Sequence, residues 1–246
     1  MTDGLIRTIE RKYIKPAKGM AKLKPVDASS IVLIDRRAGA ARVLMGRRNP
    51  AARFMPGFFV FPGGRREKAD AAAPFAGSLD ARDIERLKKF TTRPTLSRLN
   101  ALALGAVRET FEETGLRIGV PASPKPLPEG SPWAEFCAGG MVPTLDGLRF
   151  FARAITPPGR PRRFDTRFFL RDIGDMGPLT TLRPTPDSEL VELRWVTLAE
   201  AAELESAEIT QIILGELKVL LDGDMHESLP RPLFRAHYKT FQRVSL

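Results

Sequence analysis

The nine residues Arg108-Glu109-Thr110-Phe111-Glu112-Glu113-Thr114-Gly115-Leu116 restrict this chain more than any other stretch of it. On a helix, Glu109, Glu112 and Glu113 stand at i, i+3 and i+4, and at about 100° per residue they fall within an arc of roughly 100°. Apolar periodicity predicts that helix from Leu96 to Thr114, with Leu99, Ala103, Ala106 and Thr110 facing a core and Gly115 ending it. Three carboxylates crowded on one face repel one another, a cost that a cation relieves. Their hard oxygen donors suit Mg2+ or Mn2+, which keep several waters and take further oxygens from a phosphate. Arg108 lies one turn before Glu112 and can hold a carboxylate in orientation. An acidic, solvent-facing helix with an Arg–Glu pair is the plain alternative for the same residues.

Upstream, Pro56-Gly57-Phe58-Phe59-Val60-Phe61-Pro62-Gly63-Gly64 reads as a short strand stopped by a Gly-Gly turn, where backbone can approach a ligand closely. Downstream, Glu189-x-x-Glu192-x-x-Trp195 reads as an acidic strand leading into a helix. Further strands are expected at 30–35, 42–48, 118–120, 148–155, 164–171 and 190–196, with helices near 81–90, 198–204 and 208–221. Strands and helices are mixed along the chain, which predicts a layered α/β domain.

These segments together resemble the Nudix hydrolase superfamily, whose box reads G-x(5)-E-x(7)-R-E-U-x-E-E-x-G-U with U an aliphatic residue. Gly64 matches the first position, and Arg108, Glu109, Glu112, Glu113, Gly115 and Leu116 match the second half. Asp70 stands where the box has its first Glu, Thr110 where an aliphatic residue is usual, and the spacer from Asp70 to Arg108 is far longer than seven residues. That long spacer is similar to the branch of coenzyme A diphosphatases that carry an insertion inside the box. The segments Val43-Leu44-Met45-x-Arg47-Arg48, Phe54-Met55-Pro56-Gly57 and Arg163-Phe164-Asp165-Thr166-Arg167-Phe168-Phe169-Leu170 look like that branch too.

The resemblance implies a Nudix fold, an α/β/α sandwich with a mixed β-sheet. It implies Mg2+ or Mn2+ bound by Glu109, Glu112 and Glu113 with the Gly64 carbonyl. The catalytic set becomes Glu109, Glu112, Arg108 and Glu189, with the water-activating base left between a helix glutamate and Glu189. Arg47, Arg53 and Arg163 are candidates for substrate phosphates, although solvated arginines would look the same. The implied reaction is hydrolysis of coenzyme A or acyl-coenzyme A to adenosine 3′,5′-bisphosphate and (acyl-)phosphopantetheine. A sibling reading is hydrolysis of ADP-ribose, NADH or another nucleoside diphosphate derivative. From a different class comes a non-catalytic module that senses nucleotides or binds RNA. A homodimer is a family expectation.

Composition narrows these readings. Net charge is +10, which favours anionic partners, and the excess concentrates at Arg7, Arg11, Lys12, Lys15, Lys18, Lys22 and Lys24 and again around Arg160, Arg162 and Arg163. RNA binding usually places aromatic platforms beside basic residues, and the N-terminal arm offers only Tyr13, so nucleic acid is disfavoured. Cys137 is the only cysteine and His226 and His237 the only histidines, which disfavours a structural zinc site and makes a carboxylate the expected general base. One cysteine also suits a reducing cytoplasm, and no apolar run nears the roughly 20 residues of a membrane span. The expected division is a basic arm at 1–28, a hydrolase domain at 29–222 with an insertion at 71–97, and a tail at 223–246. Trp195 is expected in the core, whereas Trp133 is open to lining a pocket.

Overall fold

The computed structural model describes residues 7–9, 23–37, 39–52, 54–124, 126–174, 176, 189–223, 230–237 and 240–246. The central strand is β2 (Val26–Asp35), whose residues from Ala28 to Ile34 are all buried. Alternation sends Ile31 and Leu33 into one apolar cluster and Val32 and Ile34 into another, so the strand is covered on both faces. β2 runs parallel to β9 (Phe164–Asp172) over nine registered pairs. On its other edge its two ends have different neighbours. Ile34 and Asp35 pair with β3 (Arg42–Arg48), while Ala28, Ser29 and Ser30 pair with β5 (Gly63–Arg65).

With β1 (Arg7–Ile9), β4 (Phe59–Val60), β8 (Arg149–Ile155), β10 (Leu190–Thr197), β11 (Pro232–His237) and β12 (Thr240–Ser245), a mixed sheet forms in the order β1-β12-β11-β8-β9-β2-β3-β10, with β4 on β3. A separate ribbon pairs β6 (Gly119–Pro121) with β7 (Met141–Pro143). Helix α2 (Leu96–Thr114) covers one face of the sheet through Leu99, Leu102, Ala103 and Ala106. Helix α5 (Glu208–Asp222) covers the other through Ile213, Leu214 and Leu217. The expected α/β/α layering is therefore present. Among the described residues no helix is long and apolar enough to cross a membrane.

Helix ends follow local chemistry. The Thr95 hydroxyl accepts the Arg98 N–H at the start of α2, and Gly115 ends it in the left-handed region at φ 74°. Thr197 and Glu200 form a reciprocal capping box for the short helix α4 (Leu198–Glu203).

Two expectations about the ends of the chain need correction. Much of the stretch expected as a C-terminal tail is sheet: β11 and β12 form an antiparallel hairpin, and β11 joins β8 in parallel with Leu233 and Phe234 buried. A proline is tolerated at the first residue of a strand, and that is where Pro232 stands in β11. At the other end, β1 pairs with β12, and β2 begins at Val26, inside the expected arm. The basic residues from Arg11 to Lys22, and His226, lie outside the described residues.

The long segment between Asp70 and Arg108 holds a single turn of 3-10 helix (Ala69–Ala71) and α1 (Ala81–Lys88) before it enters α2. A buried charge network fastens its end to the sheet. Arg153, 5% exposed, donates to both oxygens of Asp165 at 2.8 and 2.7 Å and to the carbonyls of Lys89 and Phe90 at 3.0 and 3.1 Å. Asp27 accepts from Arg167 at 2.9 Å and from Arg98 at 2.7 Å. Burial alone would push the Asp27 carboxyl up, but Arg167, Arg98 and Arg66 hold it below its ordinary value. Trp133 is 0% exposed and packs edge-on against Phe136, so it lines no open pocket.

Candidate active site

The Gly-Gly turn and the acidic end of α2 meet where β5 lies against β2. Pairing of Gly63 with Ser30 and Gly64 with Ser29 fixes the turn, and the Ser30 hydroxyl donates to the Pro62 carbonyl at 2.6 Å. The Gly63 N–H donates to the Glu113 carboxylate at 2.9 Å. Gly64 faces Glu109 so closely that a Cβ at position 64 would lie 2.5 Å from both Glu109 carboxylate oxygens. Only glycine fits there, so the backbone of the turn and the Glu109 carboxylate share one small space.

Arg108 is the hub of the site. Its side chain is 2% exposed. Nε donates to Asp70 Oδ1 at 2.9 Å, Nη2 to Asp70 Oδ2 at 3.3 Å and to the Arg65 carbonyl at 2.9 Å, and Nη1 to Glu109 at 3.0 Å and Glu112 at 2.9 Å. Burial opposes its charge, but the hydrogen bond to Asp70 and the charges of Glu109, Asp70 and Glu112 hold the guanidinium above its ordinary value. Arg108 thus ties Asp70, Glu109 and Glu112 into one hydrogen-bonded set. Asp70, 0% exposed, occupies the place of the first box glutamate and also accepts the Glu67 N–H at 2.7 Å.

The carboxylates are graded by depth. Glu113 is buried, and loss of water raises its carboxyl well above the ordinary range, with Glu109 and Glu189 adding to the rise and the Gly63 N–H opposing it. Glu109 is pushed up to about 7, chiefly by burial, with Arg108 opposing and Glu112 adding. Glu112, its side chain 40% exposed, is also raised by burial against the pull of Arg108.

Not every expected residue joins this centre. Glu109, Glu112 and Glu113 share the helix end, yet among the described residues no three acidic, histidine or cysteine side chains come together at metal-ligand spacing. Arg108 bridges Glu109 and Glu112 instead, and Glu113 holds Gly63. Even so, the donor set fits a hard divalent cation: oxygen ligands, carboxylates destabilised by burial and mutual repulsion, and a glycine notch bringing a carbonyl-bearing turn to Glu109.

Glu189, 68% exposed, accepts from Arg48 at 2.7 Å and stands at the rim. Arg47 donates weakly to the Gly57 carbonyl at 3.4 Å and lies 3.9 Å from Glu192. Arg163 donates to the carbonyls of Thr156 and Leu23 at 3.0 and 2.6 Å, which fastens the 156–163 loop to the start of β2. Arg53 lies outside the described residues. The role missed from sequence is that of Asp70. Its box position was the available signal, and its pairing with Arg108 required the fold.

No family model matches the chain. Among curated proteins it is 28% identical over 210 residues to the Homo sapiens acyl-coenzyme A diphosphatase NUDT19, covering 66% of this chain and 55% of that protein. A Caenorhabditis elegans protein named as a nudix hydrolase is 28% identical over 187 residues, covering 72% of this chain and 52% of that protein. The chain therefore spans about half the length of these curated relatives. Among solved structures, a NUDIX hydrolase from Alicyclobacillus acidocaldarius superposes with a TM-score of 0.58 at 27% identity, covering 82% of this chain and 97% of that one. The sheet topology, the Gly63-Gly64 turn, the arginine hub and these likenesses agree: in fold and in sequence the chain is similar to the Nudix hydrolases.

Proposed function

We propose that this chain is a divalent-metal-dependent pyrophosphohydrolase acting on coenzyme A or acyl-coenzyme A, releasing adenosine 3′,5′-bisphosphate and (acyl-)phosphopantetheine. The observation that carries the chemistry is the Arg108 guanidinium spanning Glu109 and Glu112 beside the Gly63-Gly64 turn. The substrate class is supported by the likeness to a protein named as an acyl-coenzyme A diphosphatase, and by the net charge of +10 against a polyanionic substrate.

In this reading Glu109, Glu112 and Glu113 with the Gly64 carbonyl would hold Mg2+ or Mn2+, which would supply charge neutralisation at the diphosphate and make water easier to deprotonate. Water oxygen bonds to one phosphorus, the bridging P–O bond breaks, and the water proton passes to a carboxylate. Arg108 keeps Glu109 and Glu112 at fixed separation and compensates their repulsion. The Gly63 N–H fixes Glu113. The base is assigned to Glu112, which Arg108 holds beside Glu109 at the helix end, whereas Glu189 stands with Arg48 at the rim. Arg47 remains a candidate for a phosphate because it is exposed and only weakly engaged.

The test is hydrolysis with Mg2+ or Mn2+ of coenzyme A, acetyl-coenzyme A, ADP-ribose and NADH side by side, with Glu112→Gln as control. Fastest cleavage of the coenzyme A compounds, abolished in the variant, supports the whole reading. Preference for ADP-ribose or NADH keeps the chemistry and overturns the substrate. Binding of a nucleotide with no cleavage replaces catalysis by sensing.

A further inference from the structure

Gly105 is the only glycine inside α2, and it is buried. A glycine in a helix interior is less favourable than alanine, and a buried one gains nothing from solvent, so its presence calls for a spatial cause. The cause is next to it. A Cβ at position 105 would stand 2.9 Å from Asp70 Oδ2, 3.4 Å from the Ser29 hydroxyl and 3.5 Å from the Arg66 Cα. Real side chains do not tolerate the first of these distances unless the neighbour moves.

Asp70 Oδ2 has no easy retreat. It accepts the Glu67 N–H at 2.7 Å and Arg108 Nη2 at 3.3 Å, while Oδ1 accepts Arg108 Nε at 2.9 Å. The side chain is short and sits on the 3-10 turn Ala69–Ala71, so the whole turn must press against α2 for the carboxylate to reach Arg108. The absent side chain at position 105 makes that approach possible.

We propose that Gly105 is a positioning residue: its notch admits the turn carrying Asp70, so that a short aspartate holds Arg108 in the place from which it spans Glu109 and Glu112. Gly105 and Asp70 act as one unit. With a methyl group at 105, Asp70 is displaced, and Arg108 loses the partner that fixes it between the two glutamates. The functional half of this inference rests on the divalent-cation site proposed above. The structural half does not.

Two readouts separate them. The first is thermal unfolding of the metal-free chain. Gly105→Ala normally raises helix stability, whereas a filled notch lowers the melting temperature here by about 3 °C. Asp70→Glu in the same chain recovers most of that loss, because the added methylene lets the turn withdraw while the carboxylate still reaches Arg108. Should Gly105→Ala alone fail to fold, recovery of folding in the double variant supports the inference equally. The second readout is Mn2+ affinity by titration, expected to weaken about tenfold in Gly105→Ala and to return within about threefold in the double variant, as for other groups that orient ligands. An unchanged or raised melting temperature in Gly105→Ala overturns the inference, as does a double variant no better than the single one. A wild-type chain that binds no Mn2+ sinks the proposed metal site, and the melting data alone then decide the role of the notch.

Discussion

Arg108 and Asp70 stand 38 positions apart in sequence and meet as an ion pair of 2.9 Å, with side chains 2% and 0% exposed. Neither can be rehydrated if the other is removed. Asp70→Ala is expected to cost about 3–5 kcal/mol, the range for breaking a buried pair. Asp70→Asn keeps an acceptor for Nε and is expected to cost less. Urea unfolding measures both, and a loss below about 1 kcal/mol for the alanine variant would show that the pair behaves like a surface bridge.

Glu112 and Glu189 are both partly open to solvent and both paired to an arginine, yet different outcomes are expected. Glu112→Gln should lower turnover by on the order of 10^3-fold, as loss of a transition-state contact does, with stability changed by no more than about 1 kcal/mol. Glu189→Gln should lower it less than about tenfold, since that carboxylate faces Arg48 at the rim. The reverse ranking in steady-state kinetics would move the base to Glu189.

Burial raises Glu109 to about 7 from an ordinary value of 4.5, so the folded chain holds that proton more tightly than the unfolded one. The sign follows from linkage: this stability is fully present below pH 4.5 and is lost as pH rises through about 7. Glu113 shifts in the same direction. A divalent cation replaces the missing proton. Saturating Mg2+ should therefore raise the melting temperature by about 4 °C at pH 8 and by less than about 1 °C at pH 5. Equal shifts at both pH values would show that the cation binds elsewhere.

Arg153 joins Asp165 to the carbonyls of Lys89 and Phe90. Arg153→Ala leaves the Asp165 charge short of one partner and two loop carbonyls without their donor, at an expected cost of about 3 kcal/mol. Amide exchange should accelerate first in residues 89–95, ahead of β2. Uniform acceleration throughout would mean that the network supports the sheet as a whole and not this segment.

Much of this architecture was legible in the residues, but unevenly. Helix α2 runs over the span its periodicity indicates, because apolar repeats and Gly115 act locally. The glutamates were legible for the same reason. The hairpin at 232–245 was not, since its strands contain a proline and charges and gain their stability from pairing with β8 and β1. Strand β5, Gly63–Arg65, carries no strand-forming side chains of its own and exists because β2 offers an edge. The network of Asp27, Arg98, Arg153, Asp165 and Arg167 draws on four separate elements, and no spacing in the chain announces it. The hydrogen bonds of Arg163 to the Thr156 and Leu23 carbonyls were not legible either, because charge is visible in sequence whereas backbone carbonyls seeking donors are not.

The pairing of Asp70 with Arg108 also bears on spacer length. Closing a loop costs more only with the logarithm of its length, so lengthening the spacer from seven residues to the one here adds about 1.5 kcal/mol. The anchors at Lys89, Phe90 and Arg98 offset a penalty of that size. Spacer length is thus a weak lever on the reaction centre: residues added or removed between these anchors change the closure entropy by little, and the two residues that bracket the segment stay joined across the gap.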